Sequence, residues 1–316
     1  MSNNPDPDAI ASAVALGRLL RERANLRCRI AYSGIIKRAE NKALVRCLGN
    51  PLTPLAELGS SDSAPIILVD TQPGAGNIST PAHAQLVAVI DHHPWRAESA
   101  DVAYVDVRAD VGASSTILVE YLRSAGVKPD SLLATALFYG IKTDTRGLSR
   151  GASSADVSAY TYLQPAIDMA VIAEIEQVQV PVEYYRDIHA ALENARIYDQ
   201  LIISYLGSIR YPDLTAEIAD LLIRIEGCDW VVCMGFYERT LMISVRTQIR
   251  QGGAGSLVQS IVGDQGTAGG HGTVAGGQMP LGEDDNLEKV LSECRTRILR
   301  HLGLSATQQD GRPLFD

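Results

Sequence analysis

Four short motifs hold the residues of this chain best suited to binding a metal: NPDPD at 4–8, VDTQP at 69–73, DHHP at 91–94 and KTDTRG at 142–147. Carboxylates and imidazole together suit a divalent ion with a partly oxygen-based shell, such as Mn2+, Mg2+ or Zn2+. In the first motif, Pro5 and Pro7 fix their own φ and push Asn4 and Asp6 towards extended backbone. Asp6 and Asp8 are thereby aimed before any ion arrives. Taken singly, each residue has an ordinary use: Asp70 as a turn former, Asp8 as a helix cap, the histidine pair as loop residues. Four acidic motifs, one with adjacent histidines, are hard to explain as separate caps.

The elements that must position these motifs alternate between helix and strand from residue 9 to about residue 170. Such alternation predicts an α/β fold with a doubly wound parallel sheet, whose ligands bind beyond the C-terminal ends of the strands. Asp8 is read as the N-cap of a helix spelled AIASAVALGRLLRERA, and a strand is predicted over 26–33. Short apolar runs at 65–69 and 86–90 predict buried parallel strands, with Asp70 directly after one and Asp91-His92-His93 directly after the other. All four motifs are read as falling at or just past strand ends, three of them plainly so. Further helices are predicted over 113–125, 131–141 and from 155 onward.

A helical connector over 182–198 leads to a smaller α/β segment. Its predicted strands are 201–206, 230–237 and 240–247, with a helix over 215–225 and another near 287–302. The glycine-dense stretch 252–277 reads equally as a cradle of backbone N–H groups for phosphate or as a series of turns. The predicted organisation is a metal-binding domain at 1–182, a helical linker at 183–200, a smaller α/β domain at 201–304 and a weakly ordered tail at 305–316.

The bulk composition agrees with such an organisation. The 316 residues suffice for two cores, and 46% hydrophobic with 21% charged residues is ordinary for a globular protein. No apolar run reaches the roughly 18 residues of a bilayer span, which predicts no membrane partner. The opening MSNNPDPDAI shows no secretory signal, and five dispersed cysteines without a CxxC pair suggest reduced thiols and a cytoplasmic location. The formal net charge of -9, read together with the lack of a Lys/Arg-rich stripe, argues against long nucleic acid as a stably bound partner. A short phosphorylated ligand is compatible, as is a homodimer.

DHHP, together with NPDPDAIAS, VDTQP and TDT in this order, resembles the DHH phosphoesterase superfamily. SVRT at 244–247 and GTAGGHGTVAGG at 266–277 resemble the DHH-associated substrate domain, so the likeness runs from Asn4 to about Leu302. Within the superfamily the compact two-domain form is most similar to bacterial nanoRNases, oligoribonucleases that also dephosphorylate 3'-phosphoadenosine 5'-phosphate. The resemblance implies two divalent ions, Mn2+ foremost and Mg2+ next. It implies Asp6 on the first, Asp8, His92 and Asp144 on the second, and Asp70 bridging both. Asp91 would orient the His92 imidazole, and His93 would face the substrate phosphate. Arg246, Gly269, Gly270 and His271 would hold the distal phosphate or nucleotide.

Two departures stand out. The family places a histidine four residues before its first motif aspartate, where this chain has Ser2, and a strand ahead of that motif. The expectation is a shortened start. The glycine motif also reads Ala268-Gly269-Gly270-His271, with alanine where the family has glycine. The implied activity is hydrolysis of short oligoribonucleotides or small phosphorylated nucleotides. Cyclic or linear dinucleotides, polyphosphate and pyrophosphate are other substrates for the same chemistry, and a nucleotide-binding regulator is the non-enzymatic alternative. SVRT and GGH argue against the pyrophosphatase branch, which carries a different second domain.

Overall fold

The computed structural model describes residues 1, 3–58, 64–78, 80, 84–249, 252–282, 285–304 and 311–315, leaving out the side chain of His271. Ser2, and with it the departure noted there, lies outside the described residues. The chain divides into two compact units, Met1–Gln179 and Val180–Asp316.

In the first unit, α1 (Pro7–Ala24) starts two residues earlier than the capping reading of Asp8 predicts. Asp6 is the N-cap, accepting the Ala9 N–H at 2.9 Å, and Pro7 opens the helix where a missing N–H costs nothing. Asp8 therefore lies inside the first turn and is fully buried. There follow β1 (Ile30–Tyr32), α2 (Ala39–Cys47), β2 (Leu52–Pro54), β3 (Ile66–Val69), β4 (Leu86–Asp91), β5 (Tyr104–Val107), α3 (Ser114–Ser124), α4 (Ser131–Asp144), α5 (Ser154–Leu163) and α6 (Met169–Glu176). The α/β class with parallel strands stands as expected. The strands form two parallel sheets, β1-β2 and β3-β4-β5. An isolated parallel bridge joins Asn3 to Ser33 beyond the end of β1.

The small residues Ala9, Ala11, Ala13 and Ala15 on α1 let it pack closely on α3 and α4, with Ile117, Leu118, Leu137 and Ile141 filling the core. One segment of this unit is locally basic. Residues 18–46 hold nine Lys and Arg against only Glu22 and Glu40, and Arg21, Arg23 and Arg27 are exposed at or just beyond the α1 C-terminus, away from Asp6. Interruption by apolar residues hides this concentration from a search for an unbroken basic run.

The second unit comprises α7 (Val182–Glu193), β6 (Arg196–Tyr198), β7 (Leu201–Ser208), α8 (Leu214–Leu222), β8 (Trp230–Tyr237), β9 (Thr240–Thr247), α9 (Ala254–Val262), β10 (Thr267–His271), β11 (Val274–Pro280), α10 (Leu287–His301) and β12 (Arg312–Pro313). Its seven-stranded sheet has the order β10-β11-β9-β8-β7-β6-β12 and is antiparallel except between β7 and β8. One face packs on α9 and α10 through Val258, Ile261, Cys294 and Ile298; the other packs on α7 and α8 through Ala191, Ile218 and Leu222. The connector helix ends at Glu193, and the next residues form β6, because they pair with β7. The tail predicted to be weakly ordered contributes β12.

The glycine-dense stretch is a helix and a hairpin, and close packing accounts for several of its glycines. A Cβ on Gly277 would lie 2.8 Å from Val262 and 2.9 Å from Val258, and one on Gly255 would lie 2.6 Å from the Gly270 carbonyl oxygen. A Cβ on Gly269 would meet nothing within 4 Å among the described residues.

Candidate metal centre

The structure draws the acidic and histidine motifs of the first unit to one place from unlike elements. Asp70 and Asp91-His92 stand at the ends of β3 and β4, as expected. Asp6 and Asp8 come from the first turn of a helix, and Asp144 is the last residue of α4. Two motifs, not three, are therefore tied to strand ends. Helix termini bring in the others because α1 and α4 pack side by side and converge where α1 begins and α4 ends.

Metal-ligating atoms converge in two overlapping groups, Asp70-His92-His93 and Asp8-His92-Asp144, each within 4.8 Å. Nε2 of His92 lies 3.5 Å from Asp70 Oδ1 and 3.4 Å from Asp144 Oδ2. This nitrogen is buried and has no hydrogen-bond partner among the described residues. A buried polar atom left unpaired costs free energy unless a partner arrives. Asp6 stands beside these groups, its carboxylate capping α1.

Asp70 holds a left-handed backbone with φ of +59°, which few residues other than glycine, asparagine and aspartate adopt. Its Oδ1 accepts the Ser114 hydroxyl at 2.9 Å. Asp8 is set by the N-terminus of α3: its two oxygens accept the N–H groups of Ser114 at 2.6 Å and Ser115 at 2.7 Å. Here a helix N-terminus supports a side-chain anion. The approach needs Gly140 on α4, where a Cβ would sit 2.6 Å from Ser115 Oγ and 3.1 Å from the Asp8 Cα.

The electrostatics follow from so many acids in one buried place. Burial, then Asp144, pushes Asp6 up to about 6. Burial raises Asp8, with Asp6 adding to the effect, and raises Asp70 well above the usual carboxylate range, with Asp6 and Asp8 adding most. Burial opposes the charge of His92, yet Asp144, Asp8 and Asp91 overcome it and lift the imidazole to about 9.

Asp91 departs from its expected role. Its Oδ1 lies 2.8 Å from His93 Nδ1 and accepts the backbone N–H of His92 at 2.9 Å, so its carboxylate orients the second histidine. The reason is local: a two-residue step brings the His93 ring back over Asp91, whereas the His92 ring points at Asp70 and Asp144. Burial opposes the Asp91 charge, but His93 and Gln72 hold its carboxyl below the usual range. Gln72 and Gly140 are parts that sequence reasoning did not assign, while the helix start at Ser114-Ser115 reads from sequence either as N–H groups pointing into the cleft or as simple capping. VDTQP and the Ser114-Ser115 pair were visible as strings, but nothing local says what they touch.

In the second unit, Arg246 is buried on β9 and forms a side-on pair with Asp220 of α8, Nε to Oδ1 at 2.7 Å and Nη2 to Oδ2 at 3.3 Å. Nη1 also donates to the Val245 carbonyl at 3.0 Å. Gly269 and Gly270 lie on β10, and the expected role of His271 rests on a side chain outside the described residues.

A cation fits the first unit. The unpaired Nε2 of His92 faces two carboxylates, and the mutual repulsion of Asp6, Asp8, Asp70 and Asp144 would be relieved by positive charge among them. Mixed carboxylate and imidazole donors suit Mn2+.

An uncharacterized protein of Methanocaldococcus jannaschii is 33% identical over 97% of this chain, and the chain spans 64% of that relative's length. An exopolyphosphatase-related protein from Bacteroides fragilis has a similar fold, with a TM-score of 0.75 at 14% identity over 95% of this chain and 90% of that one. A candidate family II inorganic pyrophosphatase of Methanococcus jannaschii is similar at a TM-score of 0.50 and 19% identity, over 93% of this chain and 98% of that one. Residues 1–141 match the DHH family, N-terminal domain. With its aspartates and its DHH triplet gathered at one centre, this segment is similar to the N-terminal domain of the DHH family.

Proposed function

We propose that the chain is a metal-dependent phosphoesterase that hydrolyses short oligoribonucleotides to nucleoside monophosphates and 3'-phosphoadenosine 5'-phosphate to AMP. The observation that carries this reading is the buried Nε2 of His92, set between the carboxylates of Asp70 and Asp144 and without a hydrogen-bond partner among the described residues. Asp6, Asp8, Asp70, His92 and Asp144 would hold two divalent ions, Mn2+ foremost. When bound, such ions acidify water and neutralise phosphoryl oxygens.

The side chains do the rest of the work. Ser114 and the α3 N-terminus fix Asp8 and Asp70 in orientation, so little reorganisation is needed on binding. Asp91 takes Nδ1 of His93, and in this reading Nε2 of that ring meets a phosphoryl oxygen. In the second unit, Asp220 holds the Arg246 guanidinium by one edge, and the remaining N–H groups serve a distal phosphate. Long nucleic acid and membranes are outside the proposed partners.

The test is a substrate panel with Mn2+ and chromatographic product analysis: a ribodinucleotide, 3'-phosphoadenosine 5'-phosphate, a cyclic dinucleotide, polyphosphate and pyrophosphate. Monophosphates released fastest from the ribodinucleotide support the reading. Turnover confined to polyphosphate or pyrophosphate overturns it.

A further inference from the structure

We propose that Gln72 is a positioning residue that sets the Asp91-His93 pair, a role that rests on the reading of His93 as the group facing the substrate phosphate. Gln72 is 1% exposed and lies two residues after Asp70. Its Nε2 donates to Asp91 Oδ2 at 2.7 Å and to the Pro94 carbonyl at 3.1 Å. Its Oε1 accepts the Arg96 N–H at 3.0 Å and the Ser99 hydroxyl at 3.2 Å. Both amide hydrogens and both lone pairs are used, which is all that the group can offer. The network also fixes which way the amide points. A flipped amide would set its oxygen against a carboxylate and a carbonyl, and its nitrogen against an N–H donor.

The consequence reaches His93 through Asp91. With Oδ2 occupied by Gln72, Oδ1 is the oxygen that meets the His92 N–H and His93 Nδ1. That contact keeps the proton of neutral His93 on Nδ1. Glutamate at 72 would keep an acceptor for Arg96 and Ser99 but turn a second carboxylate on Asp91. Methionine would keep the shape and lose every hydrogen bond. Asparagine, one methylene shorter, could not reach both Asp91 and Ser99. The segment that carries Asp70 thus also clamps the loop that carries both histidines.

The experiment compares Gln72→Glu and Gln72→Met with the parent chain, Mg2+-loaded and 15N-histidine-labelled, with His93→Gln to assign the His93 signals. Imidazole nitrogen–proton correlation spectra read the tautomer, elemental analysis reads the metal, and steady-state kinetics on a ribodinucleotide separate kcat from KM. The expected result is retained metal, loss of the single Nδ1–H pattern of His93, and a kcat lower by about 10- to 100-fold with a much smaller change in KM. Gln72→Glu preserves the Arg96 and Ser99 contacts, so it reports on the Asp91 contact even where Gln72→Met fails to fold. An unchanged His93 pattern in Gln72→Glu overturns the proposal, as does loss of bound metal in that variant. A changed pattern with unchanged kcat upholds the positioning role and removes His93 from the proposed chemistry.

Discussion

Asp8 presses against Gly140, whose missing Cβ would stand 3.1 Å from the Asp8 Cα. In an exposed helix interior, Gly→Ala stabilises by roughly 1 kcal/mol through helix propensity. Here the added methyl meets Ser115 Oγ and the α1 backbone, and overpacking costs about 1–3 kcal/mol. Gly140→Ala is therefore expected to lower the denaturation midpoint and weaken metal binding. A thermal melt that rises would show that α1 and α4 separate at no cost.

Asp70→Gly should abolish activity and co-purified metal together, because it removes a central carboxylate while tolerating the left-handed φ of that position. The metal-free form of this variant should be no less stable than the metal-free parent, since a buried acid among acids is gone. Elemental analysis and paired melts check both halves. Retention of the full metal content would exclude Asp70 as a ligand.

Stability of the metal-free protein should fall as pH rises. Asp6, with an ordinary value of 3.8, titrates at about 6, and His92, ordinarily 6.5, at about 9. Both bind protons more tightly when folded, so their contribution is complete below the ordinary values and is lost as pH passes the raised ones. Asp8 and Asp70 act in the same sense. Asp91, whose carboxyl is held low, acts oppositely, and its contribution is lost only in acid. Melts of chelator-treated protein from pH 5 to 9 should show the decline, and Mn2+ at the alkaline end should reverse it. Constant or rising stability across that range would contradict the placement of these groups.

Metal titration by calorimetry should resolve two unequal sites. Asp8, Asp70, His92 and Asp144 are assigned to one, while Asp6 and Asp70 alone are assigned to the other, and Asp6 also spends one oxygen on the Ala9 N–H. Fewer protein ligands leave more water in the shell and weaker binding. Two equally tight sites would contradict the assignment.

Short substrates should outpace long ones. With a net charge of -9 the chain gains little from counterion release on a long strand, although the arginines near the end of α1 offer a local footing. A ribodinucleotide should be cleaved faster than a 24-mer at both low and moderate salt. Arg246→Ala should raise KM for the dinucleotide by about 10-fold or more, as expected from losing a charge-assisted contact of roughly 1.5–3 kcal/mol. The same variant should leave a small activated phosphodiester nearly unaffected. Equal efficiency on the 24-mer would point to a strand-tracking enzyme using the basic segment. Equal losses on every substrate would mean that Arg246, paired with Asp220, serves the fold of the second unit.

By itself the sequence determined the residue types at the centre, the α/β class and the strand ends that carry Asp70 and Asp91. Those follow from local rules: apolar runs become buried strands, and short polar motifs must fall where the runs stop. Only the tertiary structure decided that Asp144 arrives on a helix end, that Asp8 is held by α3, and that Asp91 serves His93 through a bond that leaves its other oxygen to Gln72. The same holds for the glycines of 252–277, which read as a cradle or as turns until α9 was seen lying against Gly270 and Gly277. Spacing along the chain says which residues stand near an element's end. Which atom meets which depends on contacts between residues some 20 to 100 positions apart, and these exist only once the helices and sheets have packed.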